Sequence, residues 1–136
     1  MEQTSYLTDV PGAAEIVNWF GYWPTFHDAE IVSIELKRAG TSVLKVHTYA
    51  TSKELDARGY FKTHKHSIVS FMLDDICTLE LHGFNEQNVI SGLQLNKHDE
   101  GYEVVLGACY GVEGRIVAKQ VRIGFEAGIP PLSIYN

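Results

Sequence analysis

The sequence is short of positive charge, of cysteine and of long apolar runs, and each shortage removes a class of function. Its 11 Lys and Arg stand against 17 Asp and Glu, a net charge of -6. Proteins that hold phosphate backbones normally carry an overall basic footprint, so this balance argues against a nucleic-acid partner. No apolar run approaches the ~18 residues of a membrane span. The opening Met1-Glu2-Gln3-Thr4-Ser5 has neither the basic segment nor the following apolar core of a secretory leader. The cytoplasm is therefore the expected compartment. The two cysteines, Cys77 and Cys109, lie in strand-like apolar surroundings, and two buried reduced thiols are expected in place of a disulfide. With 136 residues, 45% of them hydrophobic, the chain can bury a core as a single domain over residues 1–136 without metal or disulfide staples.

What is present is β-rich. A short helix is expected first, over Pro11 to Phe20. Pro11 suits a first helical turn, Gly21 suits the position after the last, and Ala13, Ile16, Trp19 and Phe20 recur at helical spacing. After Pro24 the period drops to two. Val32, Ile34 and Leu36 alternate with polar residues as one half-buried strand, and Val43 to Tyr49 reads as its hairpin partner. Further strands are expected at Val69 to Leu73, Cys77 to Leu81, Val89 to Leu95, Tyr102 to Tyr110 and Ile116 to Phe125. Asp74-Asp75 is expected as a turn or bulge, and Gly92 as a bulge or close backbone approach. Short connections favour antiparallel neighbours. The expected fold is mainly β (α+β): about seven antiparallel strands in a sandwich or strongly curled sheet, with one short N-terminal helix. Pro130-Pro131 ends the last strand, and the final residues are expected along the surface.

Residues 51–66 interrupt the β pattern and read as a polar, solvated connection. Lys53, Arg58, Lys62 and Lys65 against Glu54 and Asp56 give it a local charge of +2. The other 120 residues, with 7 basic and 15 acidic side chains, then carry -8. The acidity belongs to the body of the domain.

Three clusters could carry chemistry. His27, Asp28 and Glu30 offer an imidazole and two carboxylates, but an extended chain sends His27 to the side opposite the two acids, which does not suit one metal ion. His64 and His66 share a face if extended, and with His27 or His47 they could form a zinc site. Lys62 and Lys65 disfavour a cation there. Ser67 and Ser70 lack a nucleophile elbow, and the strand neighbours of Cys109 suggest an inert thiol. Gly111-Val112-Glu113-Gly114 puts an acid where a phosphate would sit. Asn85 and Asn88, in the loop from His82 to Asn88, suit turn chemistry. With Phe84 they also suit recognition, as amides around an aromatic anchor.

Trp23-Pro24-Thr25-Phe26-His27-Asp28-Ala29-Glu30-Ile31, Gly83-Phe84-Asn85-Glu86-Gln87-Asn88-Val89-Ile90 and Cys109-Tyr110-Gly111 together resemble the immunity protein 50 family, over roughly Trp19 to Phe125. Members are bacterial proteins encoded beside polymorphic toxins. The resemblance implies a non-enzymatic, cofactor-free protein that binds and neutralises a cognate toxin domain. On it, Trp23, His27, Asp28, Glu30, Phe84, Asn85, Glu86, Gln87, Asn88 and Tyr110 are the candidate partner-binding residues. An acidic body would steer toward a basic partner. Two alternatives stay open. One is a β-sheet domain binding another protein or a small ligand, with a concave apolar pocket lined by aromatics such as Tyr22, Tyr60 or Tyr110. The other is a metal-dependent hydrolase using His27, Asp28 and Glu30.

Overall fold

The computed structural model describes residues 9–131 and 133. Its one described α-helix, α1 (Ala13–Phe20), buries Ala13, Ile16 and Phe20, and Gly21, in left-handed conformation, closes it by donating to the Val17 carbonyl. The expected core face is therefore correct. Trp19 is half-buried, its ring 5.1 Å from that of Phe125.

Six strands follow: β1 (Glu30–Glu35), β2 (Ser42–Leu55), β3 (Phe61–His82), β4 (Leu93–His98), β5 (Gly101–Leu106) and β6 (Glu113–Ala127). They form one antiparallel sheet in the order β1-β2-β3-β6-β5-β4. The expected antiparallel sheet with one short helix is what forms, and the sandwich alternative is not. Among the described residues there are six strands where about seven were expected, because Val69 to Leu73 and Cys77 to Leu81 belong to the same 22-residue β3. Asp74-Asp75 lies at an irregularity, not a turn: Asp75 has a positive φ of 56°, and the register with β6 shifts between Ile76 and Thr78. A bulge bends a strand without ending it.

Outer strands β1 and β4 are each covered where they begin. The approach to β4 runs along the approach to β1, with Asp28 N–H donating to the Ile90 carbonyl, Ile90 N–H to Ala29, Ile31 N–H to Asn88 and Leu93 N–H to Thr25, all at 2.8–3.0 Å. Isolated bridges join Glu30 to Val89 and Val89 to Tyr110. The sheet therefore curls until its two sides meet along a seam at the starts of β1 and β4, which shortens the exposed strand edges. Gly92 sits where the chains pass, and a Cβ there would lie 3.2 Å from the Thr25 carbonyl oxygen. The expected close approach is thus present. Inside the curl, Leu44, Val46, Val69, Phe71, Leu95, Val104 and Ile116 pack with Ile16 and Phe20 of α1 and with Phe26.

Three local expectations need correction. A register shift between Ile31 and Ser33 turns Ile31 inward, so Val32 is exposed and Leu36, past the strand end, is exposed too. One extra residue resets a period of two. Residues 51–66 are not an irregular loop: β2 and β3 continue through them as a paired ribbon closed by a turn at 56–60. The ribbon is solvated on both faces, so no apolar alternation marks it. Cys77 and Cys109 are both exposed free thiols, Cys77 beside the β3 irregularity and Cys109 in the connection after β5. Beyond β6 the described tail folds back over β1: Gly128 N–H donates to the His66 carbonyl, Pro130 is buried, Pro131 is exposed, and Ser133 reaches Glu30. Residues 134–136 lie outside the described residues.

Ser67, on the inner face of β3, has a buried hydroxyl with no hydrogen-bond partner among the described residues. Burying a hydroxyl without a partner is costly, so Ser67→Ala is expected to stabilise the fold by about 1 kcal/mol. Urea unfolding measures it, and a loss of stability would contradict the assignment.

Candidate partner-binding surface

The seam gathers all three sequence segments that carry the candidate residues. It begins at a turn. Phe26 and Asp28 both have positive φ, 62° and 60°. Phe26 is buried against Phe71, with ring centroids 5.9 Å apart, and Trp23 is half-buried edge-on to Phe26. The segment is thus not extended, and the expected split of His27 from the two acids fails for Asp28 and holds for Glu30. His27 and Asp28 lie together on the surface, Nε2 to Oδ2 3.4 Å, while His27 Nδ1 donates to the Ser91 carbonyl at 3.1 Å.

Glu30 points away from both. Its carboxylate accepts from His47 Nδ1 at 2.6 Å and from the Ser133 hydroxyl. His47, wholly buried, meets His66 Nδ1 through Nε2 at 2.9 Å, and His66 Nε2 meets the Thr63 hydroxyl at 2.9 Å. With one proton on each ring the chain is satisfied throughout: Thr63 donates to His66, His66 to His47, and His47 to Glu30. That pattern commits both imidazole lone pairs to hydrogen bonds and leaves neither for a metal ion. No group of three or more His, Cys, Asp or Glu among the described residues is arranged to hold one. Lys65, at a positive φ of 55°, breaks the plain extension that was to align His64 with His66: His66 turns toward His47 and His64 is exposed.

Burial, and after it the neighbouring His47, hold the His66 pKa below its ordinary 6.5, with Glu30 opposing. The sign follows directly. The unfolded chain accepts a proton that folded His66 resists. Its contribution therefore costs nothing above 6.5, and stability falls as pH drops from there toward the folded pKa. Urea titrations between about pH 5 and pH 8 are expected to show a shallower pH slope for His66→Gln than for the parent.

The loop after β3 is built around Asn88, which is nearly buried. Its Oδ1 accepts from the N–H groups of Asn85 and Val112 at 3.0 and 3.1 Å, and its Nδ2 donates to the Asn85 carbonyl at 2.7 Å. Asn85 Oδ1 accepts from Gln87 N–H at 2.7 Å, a side-chain-closed turn. A Cβ on Gly111 would lie 2.6 Å from Asn88 Oδ1, and one on Gly83 would lie 2.6 Å from the Gly111 carbonyl oxygen. The two loops therefore touch through glycines, and the residues beside those glycines, Phe84 and Tyr110, are 56% and 57% exposed. Glu86 and Gln87 are exposed beside them. Asn85 and Asn88 thus shape the loop, while Phe84, Glu86, Gln87, Tyr110, His27 and Asp28 face solvent.

Sequence reasoning missed a cleft of about 580 Å³ between this loop, β1 and the returning tail. Glu30, Val32, Glu86, Val89, Pro130 and Pro131 are among its walls. No pattern in the sequence brings residues 130–133 back to Glu30. Its walls include none of Tyr22, Tyr60 and Tyr110, the aromatics expected to line a ligand pocket; all three are exposed.

The exposed part of the seam thus presents aromatic, amide and carboxylate side chains on one small β domain. The chain belongs to the Immunity protein 50 family, whose family model matches residues 12–125. Membership makes it an immunity protein and implies a protein partner. No curated protein and no solved structure matches the chain. No helix among the described residues is long and apolar enough to cross a membrane.

Proposed function

We propose that this protein binds a cognate bacterial toxin domain in the cytoplasm and neutralises it by occupation, without catalysis or cofactor. The observation that carries the proposal is the family match over residues 12–125, which contains the whole seam. The contact surface is the exposed part of that seam: His27, Asp28, Phe84, Glu86, Gln87 and Tyr110, with Trp23, Glu30, Asn85 and Asn88 holding its shape. Aromatic anchors ringed by polar groups supply most of the energy in such interfaces. The body charge of -8 favours a basic toxin and speeds encounter more than it tightens the complex.

Co-expression with the toxin domain encoded beside it is expected to restore growth, and calorimetry on the purified pair to give nanomolar affinity. Absence of both rescue and binding would sink the proposal.

A further inference from the structure

The sheet face turned away from the core carries a covered pair of histidines. Val46 points into the core, so His47, the next residue along β2, points the other way, yet it is wholly buried. Its cover among the described residues is the tail. Ser133 donates to Glu30 and lies 3.5 Å from His47 Nδ1, Pro130 is buried, and Gly128 N–H is tied to the His66 carbonyl at 2.9 Å. Beneath it the two imidazoles meet nitrogen to nitrogen at 2.9 Å, with ring centroids 5.1 Å apart. The groups facing the pair are Glu30 from β1, Tyr49 from β2, and Thr63 and His64 from β3. Lys65 sends its ammonium away, to the Trp19 carbonyl. Lys45 and Glu126 share the face at one remove, Lys45 two residues along β2 and Glu126 on β6 beyond Ile68.

We propose that this pair is an acid-operated latch on the tail: the rings share one added proton with the tail closed, and a second proton drives them apart and lifts the tail from β1. The first proton has a place. His47 then donates to both Glu30 and His66, and the Thr63 hydroxyl turns to accept from His66. The second has none. Both nitrogens of the 2.9 Å contact would carry a hydrogen, and two cations would face each other in a covered site. Glu30 balances one of these charges and leaves the other buried, a cost that hydration relieves. Hydrating wholly buried His47 requires its cover to move. The sign agrees. Burial and His47 hold the His66 pKa below 6.5, so the closed form resists the proton that the open form accepts, and opening grows as pH falls. The latch is independent of any toxin, because every group in it belongs to this chain.

NMR hydrogen exchange on the full chain, from about pH 7.5 down to about pH 4, is the test. The protection factor of the Gly128 amide is expected to fall about tenfold per pH unit on the acid side, the slope of one proton taken up on opening. Phe71, in the core, is expected to keep its protection over the same range. Carbon-13 shifts of the two rings are expected to show a single imidazolium while Gly128 is protected. His47→Gln and His66→Gln each leave one ring that can charge, so each is expected to abolish the acid fall. Gly128 protection unchanged to the acid end would overturn the proposal, as would two imidazoliums beneath a protected tail. Loss at Gly128 and Phe71 together would be global unfolding and equally fatal. An acid fall that persists in both glutamine variants would move the switch to Glu30. A variant already unprotected at neutral pH leaves the parent titration to decide.

Discussion

Replacing Phe84 and Tyr110 together by serine is expected to weaken toxin binding by about a hundredfold or more while leaving the unfolding temperature unchanged. Both rings are more than half exposed and stand on loops that touch through Gly83 and Gly111. Their removal opens no cavity in the core, so stability has little to lose. Binding has much to lose, because clustered aromatics at the centre of an interface are where affinity concentrates. Calorimetry against the toxin domain, with thermal unfolding of the free variant alongside, checks both halves. Full affinity in the double variant would move the contact surface away from the seam.

The second large effect is expected at Asn88, where the cost falls on folding first. Its side chain makes three hydrogen bonds, to Asn85 twice and to Val112 once, at a nearly buried position. Asn88→Ala removes all three and strands the N–H groups they satisfied, a loss of about 3 kcal/mol. For a domain of this length that lowers the unfolding temperature by on the order of 10 °C. Asn88→Asp keeps the acceptor and loses the donor, so it is expected to fall between parent and alanine. If alanine unfolds at the parent's temperature, the loop is not held as described.

The sequence made the element types legible wherever one face is buried and the other is not. The middle of β3 alternates cleanly through Val69, Phe71 and Leu73, and α1 shows its stripe through Ala13, Ile16 and Phe20. Legibility failed where that contrast vanishes or resets. The ribbon at residues 51–66 is solvated on both faces, so its strands carry no pattern. The register shift after Ile31 exchanges inward and outward positions, and no residue type there announces it. Of the site, the segments were legible and their geometry was not. Glu30, His47 and His66 come together from β1, β2 and β3, and positive φ at Phe26 and Asp28 turns His27 onto the surface. Both are consequences of long-range pairing, which a local pattern does not encode.

The seam also sets when the protein becomes competent. Glu30, Val89 and Tyr110 are joined by bridges that span most of the chain. Contacts so distant in sequence form late and slow folding, because long loops must close first. On the ribosome, residues 26–31 wait for 88–91, and these wait for Tyr110. The seam thus has no partial precursor: a half-made chain presents none of it, and only the finished chain carries the whole surface.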